Sequence, residues 1–152
     1  MVIWGIDIGV RSVYIARIES GLSLYSLVPK KGGERDDELR NLRQFLAATI
    51  DHGDVCYVEE PPLAGPRNVR TFLQLGEVAG VCMASLAIDT RLVEVAKWKK
   101  AVIGNGGASK DDISRFLART SPDYHDQCGN NQNYVDATCI ALYGQKTFVG
   151  KR

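Results

Sequence analysis

The sequence predicts an α/β fold in which helices cover both faces of a five-stranded mixed sheet. Three strand-like apolar runs follow one another with short links, which predicts an antiparallel meander. Later apolar runs alternate with helical patterns, which predicts parallel strands joined through helices. No repeat or linker divides the 152 residues, so we expect one domain over residues 1–152.

The first half of the chain supplies four strands and one helix. The run VIWGIDIG predicts a buried strand that ends in a turn at Gly9, and VYIARIE and LSLYSLV predict two more strands. Apolar residues then recur at helical spacing from Leu39 to Ile50, and a His-Gly pair closes that helix before the strand VCYVEE. A strand that follows a helical crossover lies parallel beside an earlier one, which predicts that VCYVEE neighbours the first strand.

The second half begins with a proline- and glycine-rich loop, which excludes regular structure. A long helix over about 68–87 follows, and Gly76 and Gly80 predict close packing of that helix on another element. The run LVEV predicts the fifth strand, AKWKKAVIG a short helix, and the Ser-x-x-Asp pattern in ASKDDI the start of another. The final helix is predicted from about Asn133 to Phe148.

Composition and charge limit the functional classes. Hydrophobic residues make up 45% and charged residues 24% of the chain, which is typical of a globular protein. The net charge of +1 means that nucleic-acid binding would require basic residues gathered on one face. No run is apolar enough for a membrane span, and the start lacks a signal-peptide pattern, so we expect a cytoplasmic protein that does not contact a membrane. The four cysteines contain no C-x-x-C pair and are expected to be reduced thiols.

Two predicted strands carry acidic residues at their ends. Asp7 interrupts an apolar strand, where a carboxylate is costly to bury without a cation, either a metal ion or Arg11. Glu59 and Glu60 end the fourth strand and could instead be solvated strand-end charges. If the two strands are adjacent, Asp7 and Glu59 come together.

A third acidic residue lies in the first turn of the predicted final helix. Asp136 shares a helix face with Asn133, three residues earlier, although an acidic residue near a helix start is also favoured by the helix dipole. Oxygen donors from two strand ends and one helix face form a site for a hard cation, Mg²⁺ or Mn²⁺ rather than zinc.

Basic residues lie near these positions and are the candidate DNA-binding residues. Phosphate contacts dominate nucleic-acid affinity, so a face with several of them could bind DNA despite the small net charge. Solvated helix faces are the alternative, and Trp98 could stack on DNA or belong to the core. The candidates are Arg11, Arg67, Arg70, Lys97, Lys99, Lys100 and Lys110.

Over most of its length the sequence resembles the RuvC-type Holliday-junction resolvases of the RNase H-like superfamily, which include small phage-encoded members. GIDIGVRS is similar to the first motif of that family, VEE to the second, and TFLQLGEVAGV to its glycine-containing helix. KKAVIGNGGASKDDI resembles its basic, glycine-centred segment, and NYVDATCIAL its terminal helix. The resemblance implies an RNase H-like fold, and host cytoplasm as the location if the protein is phage-encoded.

The resemblance also implies a site and a reaction. It implies two Mg²⁺ ions, or Mn²⁺ in their place, held by Asp7, Glu59, Asn133 and Asp136, with Lys110 catalytic and Lys99 near the scissile phosphate. A homodimer would then cut a four-way DNA junction by hydrolysis in recombination or repair, and the helix with Gly76 and Gly80 is its expected dimer face.

The sequence departs from the family pattern at two places. Asn133 stands where a second acidic residue is usual, so one ion should bind more weakly unless Glu60 compensates. Pro61 and Pro62 stand where an aromatic residue is usual after the second carboxylate.

Three other functions remain open from the sequence. One is a nuclease with broader action on flaps, forks and branched DNA, and another is a nucleic-acid-binding module without catalysis. The third is an actin-like ATPase fragment, because the phosphate loop of that class also has the pattern D-x-G on a strand turn, although the chain has length for only one such domain.

Overall fold

The computed structural model describes residues 1–62 and 68–149. Five strands form one sheet in the order β3-β2-β1-β4-β5, with β1 antiparallel to β2 and parallel to β4. The β2–β3 pair is antiparallel and the β4–β5 pair parallel, which confirms the predicted mixed sheet. The strands are β1 (Ile3–Ile8), β2 (Val13–Ile18), β3 (Leu22–Leu27), β4 (Val55–Glu59) and β5 (Thr90–Val93).

Helices pack on both faces of the sheet, as predicted. One core lies between the sheet and α1 and α2, and includes Trp4, Leu46 and Val78. The other lies between the sheet and the remaining helices, and includes Ile3, Trp98 and Ile140. The helices are α1 (Arg35–Thr49), α2 (Val69–Ser85), α3 (Val95–Ile103), α4 (Lys110–Thr120), α5 (Pro122–Cys128) and α6 (Gln132–Val149). None of these helices has both the length and the apolarity required to cross a membrane.

The structure corrects several predicted elements. Helix α5 was not predicted, because seven residues give too few turns for an apolar period to show. The fifth strand ends at Val93, and Val95 begins α3 instead of ending a strand LVEV. Helix α6 begins one residue before the predicted start, so Asp136 lies in its second turn rather than its first.

The two glycines of α2 do not pack against the chain. A Cβ atom added at Gly76 or Gly80 would meet no atom within 4 Å in the part of the chain that the structure describes. The prediction of close packing within the chain is therefore wrong, and this face of α2 is open.

Helix α6 packs directly on the centre of the sheet because glycine occurs at the closest approaches. A Cβ atom at Gly5 of β1 would overlap the carbonyl oxygen of Ala137 and the backbone nitrogen of Ala141. A Cβ atom at Gly144 would lie 2.6 Å from Cγ2 of Ile3 in β1. These approaches fix the position of α6 across β1.

The substitution Gly5→Ala should therefore destabilise the fold. We expect a loss of about 1–3 kcal/mol or more in the free energy of unfolding, because the methyl group meets rigid helix backbone. Gly21→Ala is the matched control, since a Cβ atom there meets nothing within 4 Å among the described residues. Urea unfolding measures both variants, and equal midpoints would contradict the proposed packing constraint.

Candidate active site

Asp7 and Glu59 lie side by side at the carboxyl ends of the neighbouring strands β1 and β4. Strands β1 and β4 run parallel with Ile6 opposite Val58, so the residue that follows in each strand is one of these carboxylates. Side chains alternate between faces along a strand. Asp7 therefore lies on the same face as Ile3, and Glu59 on the same face as Tyr57, which is the face that α6 covers.

Asp136 joins them from α6. It directly precedes Ala137, whose carbonyl oxygen abuts Gly5, two residues before Asp7 in β1. The close approach of helix and strand thus brings the third carboxylate to the two strand ends. The structure therefore brings together the three acidic residues that the sequence predicts.

Burial and mutual repulsion shift the protonation of this cluster. Burial first of all, and then the charges of Glu59 and Asp136, raise the pKa of Asp7 from 3.8 to about 8, and Lys110 opposes the shift. Burial also raises the pKa of Glu59 and the pKa of Asp136, and repulsion from Asp136 adds to the effect at Glu59. Three carboxylates that interact in a poorly solvated region favour a bound proton or a cation.

Neutral donors hold two of the three carboxylates. Nε1 of Trp98 donates to Oε2 of Glu59 over 3.0 Å, and Nε2 of Gln132 donates to Oδ1 of Asp136 over 2.9 Å. In residues 1–62 and 68–149, no hydrogen bond or ion pair reaches the Asp7 carboxylate. Within those residues no three His, Cys, Asp or Glu side chains are already gathered closely enough to hold a metal ion.

Three residues that the sequence considered lie outside the cluster. The Asn133 side chain is exposed, and its backbone N–H donates to the Asn131 side chain. Glu60 lies with Pro61 and Pro62 around a separate pocket. Arg11, the alternative partner for Asp7, forms an ion pair with Glu38 over 3.5 Å instead.

Gln132 is the contact that sequence reasoning missed. It lies four residues before Asp136 and therefore shares a helix face with it, as Asn133 does at three residues. Spacing alone could not show which of the two side-chain amides contacts Asp136. The structure separates them, because the Gln132 amide contacts the carboxylate and the Asn133 amide is exposed.

Two lysines flank the carboxylates. Lys99 opposes the rise in pKa at Glu59 and Asp136, and Lys110 does so at Asp7 and Asp136, because each ammonium group lies close enough to attract these charges. Nζ of Lys99 donates to the carbonyl oxygen of Ala108 over 2.9 Å. That contact joins α3 to the loop before Lys110.

The loop between α3 and α4 fixes Lys110. Gly104 ends α3 with a φ of 90°, a conformation that favours glycine. Ser109 and Asp112 then form a reciprocal capping box at the start of α4, whose first residue is Lys110.

The other candidate DNA-binding residues are more dispersed. Lys97 and Lys100 are exposed on α3, and neither is among the charges that shift the pKa values of the three carboxylates. Arg70 is exposed in the first turn of α2. Arg67 lies outside the described residues.

Comparison with known proteins gives one consistent class. The chain is 29% identical to the crossover junction endodeoxyribonuclease RuvC of Salinibacter ruber, over 93% of the chain and 83% of that protein. It is 34% identical to the RuvC of Bacteroides fragilis and 43% identical to that of Porphyromonas gingivalis, but these matches cover only 50% and 33% of the relatives. No protein-family profile matches the chain.

Solved structures agree over nearly the whole chain. Thermus thermophilus RuvC superposes with a TM-score of 0.79 and 14% identity, over 99% of this chain and 97% of that one. The same protein in complex with a Holliday junction substrate gives a TM-score of 0.80 at 16% identity, over 95% and 93% of the two chains. At these identities the structures establish the fold.

Sheet order, helix placement and these superpositions define an RNase H-like fold. The sequence matches show that the chain is similar to crossover junction endodeoxyribonucleases named RuvC.

The raised pKa of Asp7 predicts how stability depends on pH without metal. Its folded-state pKa of about 8 exceeds the ordinary aspartate pKa of 3.8, so the folded state binds more protons between these values. The free energy of unfolding should therefore fall as pH rises from about 4 through about 8. Asp7→Asn should weaken that fall, because it removes the buried carboxyl group whose pKa is raised to about 8.

Unfolding by urea in EDTA at pH 5 and pH 8 measures this difference. The wild-type protein should lose more stability between the two pH values than the Asp7→Asn variant does. Identical pH dependence would show that Asp7 is not held in an environment that favours its protonated form.

Proposed function

We propose that this protein is a metal-dependent endonuclease that resolves four-way DNA junctions. The observation that carries the proposal is the convergence of buried Asp7 with half-buried Glu59 and Asp136, whose charges repel one another, at the ends of β1 and β4. RuvC relatives named for crossover junction cleavage, and the RuvC fold seen with a Holliday junction, support it. The likeness over nearly the whole chain favours this activity over that of an actin-like ATPase.

The donor set fits divalent cations such as Mg²⁺ and Mn²⁺. All three groups are carboxylates, and carboxylate oxygen is the preferred ligand of these hard ions. The Asp7 carboxylate is free to bind a cation, since nothing in the described ranges donates a hydrogen bond to it. Because the described residues contain no preassembled metal cluster, binding would require the three carboxylates to move closer together.

We propose two bound divalent ions, which the carboxylates of Asp7, Glu59 and Asp136 would hold together. Asn133 would have to turn inward from its exposed position to assist. Bound ions would supply activation of water and stabilisation of the leaving 3′ oxygen.

The chain's own residues contribute position and charge. Asp7 must lose its proton before it can bind a cation, which couples binding to pH. Lys110, exposed at the start of α4, would bind the scissile phosphate and stabilise charge that develops on it. Lys99 would approach the same phosphate from α3. Arg11, Arg70, Lys97 and Lys100 would contact the DNA backbone farther away.

A homodimer would suit a junction with two-fold symmetry, because each subunit could cut one of two opposing strands. An apolar strip on α2 supports this part of the proposal. Val69 and Leu73 of the strip are 64% and 59% exposed, and Met83 is 39% exposed. Gly76 and Gly80 lie between them with open space above, so another helix could approach closely.

A nuclease with broader action on branched DNA is the second candidate. Pro61 and Pro62 come shortly after Glu59, where RuvC-type resolvases usually have an aromatic residue that intrudes at the junction. A chain without that residue has less means of recognising a four-way crossover.

Cleavage of labelled four-way junction, fork and duplex in Mg²⁺ or Mn²⁺ tests the activity. The junction should be cut in preference to the others, and Asp7→Asn should reduce cutting below detection while junction binding persists. Binding without cutting in either metal would leave a nucleic-acid-binding module. Equal cutting of fork and junction would favour the broader nuclease.

The dimer interface is tested by placing a charge in the strip. Leu73→Asp should shift the protein from dimer to monomer in analytical ultracentrifugation, because it would bury a carboxylate without a partner. Val28→Asp is the matched control, since Val28 is 62% exposed on another part of the surface. A dimer that survives Leu73→Asp, or a monomeric wild-type protein, would contradict this interface.

A further inference from the structure

We infer that Trp98 is a positioning residue for Glu59. The indole N–H of Trp98 orients the Glu59 carboxylate for binding a divalent cation. The inference rests on the proposed metal site. It goes beyond that site by giving a buried aromatic residue of α3 a part in metal affinity.

The fold brings Trp98 to Glu59 through the parallel pair of β4 and β5. Glu59 is opposite Val93 in that pair, and Val93 is followed at once by the N-cap of α3, Glu94. The backbone N–H of Trp98 donates to the carbonyl oxygen of Glu94 over 3.1 Å, which places Trp98 in the first turn of the helix. Its ring is 1% exposed, so its position is fixed by packing.

The hydrogen bond leaves half of the carboxylate available. Nε1 of Trp98 donates a hydrogen bond to Oε2 of Glu59. No other hydrogen bond or ion pair from the described ranges reaches the Glu59 side chain. An indole N–H is neutral, so it orients the group without cancelling its charge. A lysine hydrogen-bonded in that place would compete with the cation. Lys99 attracts the Glu59 charge from nearby, but its Nζ donates to the Ala108 carbonyl oxygen.

Glu59 needs such a restraint more than the aspartates do. A glutamate has one more rotatable bond, and fixing that freedom when a metal binds lowers affinity. Groups that hydrogen-bond metal ligands orient them in this way, and their removal typically weakens metal binding about 10–100-fold.

Trp4 is a buried tryptophan of the same fold whose indole hydrogen bond serves only the structure. It is also 1% exposed, and its Nε1 donates to the backbone carbonyl oxygen of His52 over 2.9 Å, between the sheet and the other helical layer. Trp4→Phe removes a buried indole hydrogen bond without touching the metal site. It is therefore the matched control for Trp98→Phe.

Calorimetric titration with Mn²⁺ separates the possibilities. Trp98→Phe should raise the Kd for Mn²⁺ by about 10–100-fold relative to wild type, and Trp4→Phe should leave the Kd unchanged. If wild type binds Mn²⁺ and both variants bind it equally well, the inference about Trp98 is wrong. If wild type binds no Mn²⁺, the proposed metal site itself is wrong.

A fluorescence measurement keeps the test decisive if Trp98→Phe does not fold. The chain has two tryptophans, so Trp98 is the only one left in Trp4→Phe. Mg²⁺ should change its emission, because the acceptor of its N–H becomes a metal ligand, and Asp7→Asn in the same background should abolish the change. Unchanged emission while calorimetry shows Mg²⁺ binding would overturn the inference.

Discussion

Helix α6 can reach the sheet only because Gly5 and Gly144 carry no side chains where it crosses β1. With any larger residue at Gly5, the backbone of α6 would have to move outward. Asp136 is carried on the same helix, next to the point of closest approach. Backbone packing thus fixes where the Asp136 backbone lies relative to the Asp7 backbone in β1.

The electrostatic character of the site follows from that packing. Helix α6 packs on the sheet and removes water from Asp7, Glu59 and Asp136, which raises their pKa values. Repulsion between the carboxylates adds to the shifts at Asp7 and Glu59. Lysines near the cluster moderate the repulsion, yet the hydrogen-bond donors that touch these carboxylates are neutral. A cation would stabilise three carboxylates in such an arrangement, so the geometry that destabilises the metal-free protein would favour metal binding.

The two faces of the sheet have different tasks in this proposal. The metal site and the lysines lie with α3, α4 and α6, whereas the apolar strip belongs to α2 on the opposite face. Arg35 at the start of α1 connects the second face with the loop after Asp7, because it donates to the carbonyl oxygens of Val10 and Gln74. A dimer formed through α2 would therefore rest on a helix tied to the loop beside the site.

Sequence alone predicted five strands, the meander of the first three and the place of β4 beside β1, because apolar periodicity is a local pattern. It also singled out Asp7, Glu59 and Asp136, whereas the place of β5 beside β4 came from the tertiary structure. The tertiary structure decided which neighbour of each carboxylate matters. Strand alternation placed Glu59 on the α6 face, and helix orientation gave Asp136 the Gln132 amide instead of Asn133. It also gave the Trp98 indole an acceptor 39 residues away, a contact that no local pattern can encode.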